Sequence, residues 1–561
     1  MATAAIHPGQ FGGTGERPRG LSLTYQRLML VMLVFAGVTA LIAGRLLYLQ
    51  LFTDHSGASQ IGNPLAPPRG DIVDRNGVPL ARTIDAWSIG VHPNRLLGNP
   101  DELAIKLAAL MPEHDASEYK AMLTSGKSFI YLSRRAVPEL VSAVNGLGEP
   151  AIVFDREPER LYPQTALASH ILGWTDFDGR GVTGMERVLE DRLSDPAARA
   201  EPVSLSIDSR VQAAMEAELS AAVTKHSAAG ATGIVLDVRT GEVIAMASLP
   251  TFNPNAAGHS DANSLFNRAT MGVYELGSTF KPLTMAAAMD AGVITSMTER
   301  YNATAPIAIG RFKIKDDHPQ NRPLNIPETL VHSSNIVTAR ISEEMGAERM
   351  QAAFRALGFD KPAQIELDQR SRTLWPRDWG RATVMTSGFG HGVAITPLHL
   401  ATAYAALVNG GIFRPATLIH GGPPAPGRRV FSEATSLRIR QLLRLVVLEG
   451  TGKRGDAIGY RVGGKTGTAE KPMDGGYSKK VNVSTFAAAF PMDDPRYVVI
   501  AMLDAPKATA DTFGYTSAAW VAAPVVSRLI SRVGPLLGVM PDARRDIDVS
   551  ELLPLIGDSR H

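Results

Sequence analysis

The apolar positions of this chain fall into three zones. The first is an unbroken run: residues 28–44 read LMLVMLVFAGVTALIAG, 17 residues without a charge. As a helix rising 1.5 Å per residue, this run approaches the thickness of a bilayer core of about 30 Å. Leu46, Leu47, Leu49 and Leu51 carry the apolar stripe onward past Arg45, whose stem can snorkel, and Tyr25 and Tyr48 suit the two interfaces. Arg17, Arg19 and Arg27 outnumber Glu16 in the preceding tail, which the positive-inside rule keeps in the cytoplasm. A cleaved signal peptide would have a shorter leader and a small-residue A-x-A site after the run. The expectation is therefore a cytoplasmic tail over 1–27, a single-pass inner-membrane anchor over 28–51, and the bulk of the chain in the periplasm.

The second zone, 52–200, starts with a polar linker ending in Pro67-Pro68 and continues as a mixed α and β region without a catalytic constellation. Its clearest local signal is Asp74-Arg75-Asn76-Gly77, where Asn-Gly favours positive φ and a tight turn. The third zone, 201–540, opens with Asp208 as the cap of a helix that places Val211, Met215, Leu219, Ala222 and Val223 on one face. Two β-rich runs, 233–239 and 242–248, flank Thr240-Gly241 and read as a hairpin. Strand patterns return at 462–469, 484–490 and 497–503, with turn signals at Asp474-Gly475-Gly476 and between Pro491 and Pro495. The intervening region is mostly helical. These alternations predict an α+β or α/β chain: one antiparallel sheet gathered from distant segments, with helices around it. Residues 541–561 are expected to be a C-terminal tail.

Composition narrows the reading only slightly. At 45% hydrophobic and 20% charged the chain is globular, and a net charge of +2 offers no concentrated basic face for nucleic acid. The chain contains no cysteine, which excludes disulfides, thiolate metal sites and a cysteine nucleophile. No motif asks for a metal or another cofactor.

Three short motifs carry the candidate chemistry, in this order: Ser278-Thr279-Phe280-Lys281, Ser333-Ser334-Asn335 and Lys465-Thr466-Gly467-Thr468. Residues three apart share a helix face, so Lys281 can approach the Ser278 hydroxyl. Pro282 is tolerated only in a first helical turn, so the helix should begin close to Ser278. A serine is a weak nucleophile until a base takes its proton, and lysine serves as a base only when burial or a nearby cation depresses its pKa. Lys465 is a candidate for that cation. Ser333 can relay a proton, and Asn335 can hold the Lys281 ammonium or a substrate amide; the middle motif also reads as an ordinary helix cap or ST-turn. Gly467, with Gly463-Gly464 before it, removes side chains so that a peptide can add along a strand edge; an ordinary glycine bulge is the plainer reading. Thr466, Thr468 and Lys465 can hold a carboxylate, and the backbone N–H groups of Ser278 and Thr468 can form an oxyanion hole.

On these motifs the sequence resembles the class B penicillin-binding proteins. The resemblance extends to Arg69 through Ala81, Arg160-Leu161-Tyr162-Pro163, His170 through Gly173, Gly184-Met185-Glu186, and Gly390-His391-Gly392 with Thr396-Pro397. It implies a non-catalytic pedestal, or dimerisation, domain followed by a β-lactamase-like transpeptidase domain with a five-stranded antiparallel sheet. It also implies a serine D-Ala-D-Ala transpeptidase that cross-links peptidoglycan stem peptides and is acylated by β-lactams at the same serine. A short tail, a single anchor and modest length look more like the septal, FtsI-type branch than the elongation branch. The implied partners are a SEDS-family polymerase and other division membrane proteins. Two positions depart from the family pattern: Leu276 stands where proline is usual, and His399 where glutamine is common. Three other readings are an elongation-type transpeptidase, a β-lactam hydrolase or sensor, and an idle scaffold. No deacylating base is identifiable for the second, and the intact trio argues against the third.

Overall fold

The computed structural model describes residues 19–52 and 69–557 apart from 311 and 474–475. The start of the expected cytoplasmic tail, the 53–68 linker, the Asp474-Gly475 turn and the interfacial side chains of Tyr25, Arg45 and Tyr48 lie outside the described residues. Helix α1 (Arg19–Phe52) belongs to a unit of its own, residues 1–63. Its stretch Arg27–Gly44 has a mean hydropathy of 2.1 and is, among the described residues, the one helix long and apolar enough to cross a membrane. The Thr39 hydroxyl returns to the Phe35 carbonyl at 2.8 Å, so this polar side chain in the apolar run is satisfied within the helix.

The second unit holds both the pedestal and the motif-bearing region. In the pedestal, strands β1 (Ile72–Val73), β2 (Pro79–Val91), β3 (Ile130–Ala136) and β4 (Ile152–Leu161) pair antiparallel around the long β2, and β5 (Val203–Ser204) adds parallel to β1. The Asp74 to Gly77 turn forms between β1 and β2. Asp74 Oδ1 accepts the Asn76 and Val78 N–H groups at 2.8 Å each, and Gly77 takes φ +82°. The other oxygen of Asp74 accepts from Ser209 N and Oγ at 3.0 and 2.7 Å, so this turn also tethers the next helix.

Three of the quoted N-terminal signatures meet at one point. The buried carboxylate of Glu186 accepts from Arg69 Nε at 2.8 Å and from Arg160 Nε at 2.7 Å. Glu190 pairs with Arg69 at 2.9 Å. The fourth signature supplies His170, whose Nε2 meets the Ser264 carbonyl at 2.8 Å; burial lowers its pKa to about 4.

The motif-bearing region runs α2 (Ser209–His226), β6 (Gly230–Asp237), β7 (Val243–Leu249), α3 (Lys281–Asp290), α4 (Ile326–Val331), α5 (Asn335–Ala356), α6 (Pro397–Val408), α7 (Glu433–Glu449), β8 (Gly463–Met473), β9 (Gly476–Phe490), β10 (Tyr497–Asp504) and α8 (Ala523–Val533). Its sheet has the order β8-β9-β10-β6-β7, with every pair antiparallel. Both faces are buried, so the period of two shows as two apolar sets rather than apolar against polar. Ile234, Leu236, Val498, Ile500 and Met502 face a core shared with α3, α6 and α7. Val235, Val499, Ala501, Leu503 and Phe486 face a second core with α2 and α8. The β8–β9 hairpin extends beyond the expected strand ends, because Glu470 and Lys471 carry no apolar alternation to mark it. Lys471 is held by Asp504 at 2.8 Å.

Residues 542–557, placed beyond the domain by a boundary at 540, return across it. Asp546 pairs with the buried Arg444 at 2.7 Å, Ile547, Val549 and Leu552 are buried in the first core, and the Leu555 carbonyl accepts from Asn325 Nδ2 at 2.7 Å. Ile547, Val549, Leu552, Leu553, Leu555 and Ile556 keep no single helical or strand period, so no pattern reveals the packing.

Candidate active site

Ser278 lies in a 3₁₀ turn, Gly277–Phe280, that leads directly into α3, with Pro282 in the first turn of that helix. The helix therefore begins where Pro282 requires. Leu276 does not loosen the approach. It is buried, its carbonyl accepts from Thr279 Oγ1 at 2.9 Å, and Gly277 N–H donates to the Gly390 carbonyl at 3.3 Å. Gly277 holds φ +55°, and a Cβ there would stand 3.0 Å from the Thr468 carbonyl, so glycine is needed for both backbone and space. Tyr404 Oη donates to the Thr279 carbonyl at 2.8 Å. His399, the other departure, caps α6 through Thr396 and meets the Lys361 carbonyl at 2.9 Å, a wholly structural role.

Lys281 and Lys465 are both fully buried. Lys281 Nζ donates to the carbonyl of Ser333, and to its hydroxyl at 3.1 Å. Lys465 Nζ donates to the same hydroxyl at 2.9 Å and to the Thr466 carbonyl at 3.1 Å. One serine oxygen thus joins two amines contributed by residues far apart in the chain. Burial disfavours an ammonium, and among the described residues no carboxylate bonds either lysine. Lys281 is lowered to about 7, while the charges of Asp316 and Asp317 oppose that fall. Lys465 is lowered as well, by burial and by the repulsion of Lys281. An amine that titrates near pH 7 is partly neutral there and can accept a proton.

Some expected contacts differ. Among the described residues Lys281 makes no hydrogen bond to Ser278, since its donors go to Ser333. Asn335 does not hold Lys281; its Nδ2 donates to the Lys315 carbonyl at 3.0 Å. The middle motif is also the helix cap that its plainer reading foresaw, for Ser334 Oγ caps α5. Thr466 is buried and donates to Thr451 Oγ1 at 2.8 Å, 3.5 Å from Lys465 Nζ. Thr468 is exposed, and its Oγ1 accepts from the Ala518 N–H at 3.1 Å. Gly467 lies so close to the Leu276 carbonyl that a Cβ would sit 2.3 Å from it.

β8 is the edge of the sheet. The Thr468 carbonyl faces Gly277, and a residue in a strand directs its N–H and its carbonyl to the same side. The Thr468 N–H therefore looks toward the turn that carries Ser278. Asp316 was missed by the sequence reading. It is 5% exposed and accepts from Ser334 Oγ and Ile336 N–H at 2.8 and 2.9 Å. Its only trace in the sequence is an acidic pair some way ahead of the motif. Among the described residues no cluster of three His, Asp or Glu side chains is placed to hold a metal.

A serine at a helix start, two depressed lysines sharing a hydroxyl and an open strand edge together define a serine acyltransferase of the penicillin-binding kind. Residues 231–528 match the penicillin binding protein transpeptidase domain, and residues 64–195 match the penicillin-binding protein dimerisation domain. The chain is 41% identical to the probable peptidoglycan D,D-transpeptidase FtsI of Caulobacter vibrioides, over 84% of this chain and 82% of that protein. It is 32% identical to the probable peptidoglycan D,D-transpeptidase PenA of Neisseria gonorrhoeae, over 92% and 93%. The crystal structure of penicillin binding protein 3 from Mycobacterium tuberculosis, complexed with aztreonam, superposes with a TM-score of 0.67 at 26% identity, covering 84% of this chain and 97% of that one. The chain belongs to the class B penicillin-binding proteins of FtsI type.

Proposed function

We propose that Ser278 carries the acyl group in a D,D-transpeptidation that cross-links peptidoglycan stem peptides during septum synthesis. The observation that carries this reading is the Ser333 hydroxyl shared by Lys281 and Lys465, because it links a base beside the nucleophile to a second amine beside the strand edge.

A donor stem ending in D-Ala-D-Ala lies along the β8 edge, with its terminal carboxylate against Lys465, Thr466 and Thr468. That carboxylate supplies the negative charge the buried lysines lack, so Lys465 takes a proton as substrate enters. Lys281 removes the Ser278 proton and Oγ attacks the penultimate D-Ala carbonyl. The oxyanion is held by the N–H groups of Ser278 and Thr468. The C–N bond breaks, the leaving amine takes its proton through Ser333, and terminal D-Ala departs. An amine of a neighbouring stem then attacks the ester, passes its proton back through the same relay and frees Ser278. A β-lactam enters the same first step, but its leaving nitrogen stays tethered to the acyl group. The amide oxygen of Asn335, whose Nδ2 is given to the Lys315 carbonyl, can accept from a substrate amide. The tail over 1–27 stays cytoplasmic, the domains lie in the periplasm, and a SEDS-family polymerase supplies the glycan strands.

Labelling with a fluorescent penicillin tests the nucleophile: wild type takes label and Ser278→Ala does not. Equal labelling of both would overturn the assignment. Depletion followed by imaging tests the process, since filaments support the septum and spheres support elongation.

A further inference from the structure

Two carboxylates precede the Ser333 loop, in different surroundings. Asp317 is exposed. Asp316 is buried, and both of its oxygens are bonded to the start of α5, to Ser334 Oγ and to the Ile336 N–H. A carboxylate there would ordinarily do no more than end a helix. Here the residue just before the cap is Ser333, a non-glycine residue at φ +58°. That region is sparsely populated and persists only where the surroundings enforce it. Ser333 N–H donates to the Leu330 carbonyl at 3.3 Å and Ser334 N–H to the Thr329 carbonyl at 2.9 Å, so α4 grips one side of Ser333 and the Asp316 cap grips the other. The left-handed backbone directs the Ser333 carbonyl to Lys281 and its hydroxyl to both lysines.

We propose that Asp316 is a positioning residue of the proton relay: its carboxylate fixes Ser334 and Ile336, and so holds Ser333 in the conformation that sets one hydroxyl between Lys281 and Lys465. The proposal rests on the acyl-transfer reading above. Asp316 touches no reacting atom, but its charge also bears on Lys281. The charged groups acting on that amine are Asp316 and Asp317 from the loop before α4 and Lys465 from β8, while the loop before α5 contributes the neutral Ser333. Of the two carboxylates, Asp316 does more to favour the ammonium. Asp316 therefore bears both on the position of Ser333 and, against the larger effect of burial, on the proton affinity of Lys281.

The test is the single-turnover acylation rate of the full chain with a fluorescent penicillin, followed across neutral pH, beside thermal melting. Asp316→Asn keeps the shape and removes the charge. Its plateau rate should fall roughly ten- to hundredfold, and the midpoint of the pH profile should move to lower pH, because the Lys281 ammonium loses support. Asp316→Glu keeps the charge on a longer arm, and should restore the midpoint with only part of the rate. An Asp316→Asn profile with unchanged rate and midpoint would overturn the proposal. So would a fall in rate that tracks a lower melting temperature with no shift in midpoint, which would make Asp316 a helix cap and nothing more. Wild type that takes no label at Ser278 would instead overturn the acyl-transfer reading itself.

Discussion

Two of the clusters of ionisable side chains that the molecule buries have their charges arranged in opposite ways. In the pedestal, Arg69 and Arg160 close on Glu186 and Glu190, so each buried cation meets a carboxylate at 2.7–2.9 Å. In the active site, Lys281 and Lys465 are buried just as deeply, yet they share a neutral serine. Matched charges fix a structure, and losing one partner strands the others. Unmatched like groups cannot both stay ionised, and the proton they shed becomes available for chemistry. The pedestal cluster should therefore control stability, and the lysine pair should control rate.

The largest expected effect breaks the rate side. Lys281→Met replaces the amine with an apolar chain of similar length. Acylation by a fluorescent penicillin should fall about 10²–10⁴-fold, while denaturant unfolding shows stability kept or raised, since a buried amine is gone. Next comes the stability side. Glu186→Ala leaves two buried guanidinium groups without their shared partner and should cost about 3–5 kcal/mol in urea unfolding, with the acylation rate of the folded fraction unchanged. A rate loss equal to that of Lys281→Met would end the distinction.

The third prediction concerns pH. The Lys281 pKa is lowered in the fold to about 7 from 10.5, so between these values the unfolded chain binds more protons than the folded one. Stability then rises with pH through that window, by at most about 1.4 kcal/mol per pH unit for one group, and the full penalty is present below pH 7. Comparing wild type with Lys281→Met isolates this slope, and acylation should rise through the same lower midpoint. The smallest effect is the control. Lys225 and Asp511 pair at 2.8 Å on the surface, and Lys225→Ala should change stability by less than about 1 kcal/mol.

Much of this was legible in the chain. Pro282 located the start of the nucleophile helix, because proline has only one comfortable place in a helix. The two β-rich runs and Thr240-Gly241 between them located β6 and β7, because both signals are local. What stayed hidden depends on contacts between distant segments. The turning of Lys281 toward Ser333, and of Asn335 toward Lys315, depends on how the α4–α5 loop is held. Asp316 belongs to no spacing rule. Arg69, Arg160 and Glu186 were visible as separate family signatures, but their meeting at one carboxylate is a fact of packing. The β8–β9 extension is polar at Glu470 and Lys471, and the apolar residues of 542–557 keep no single helical or strand period, so periodicity marks neither.

That docking bears on the order in which the enzyme is completed. Asn325, at the head of the helix that leads to Ser333, is anchored by Leu555, 230 residues further along the chain. Chains are made from the N-terminus, and contacts between distant segments close late because of their loop entropy. The pedestal can settle early, from pairings within its own stretch. The Ser333 loop receives this support only after Leu555 has emerged, 230 residues beyond Asn325, so maturation of the reactive centre lags the synthesis of its own motifs.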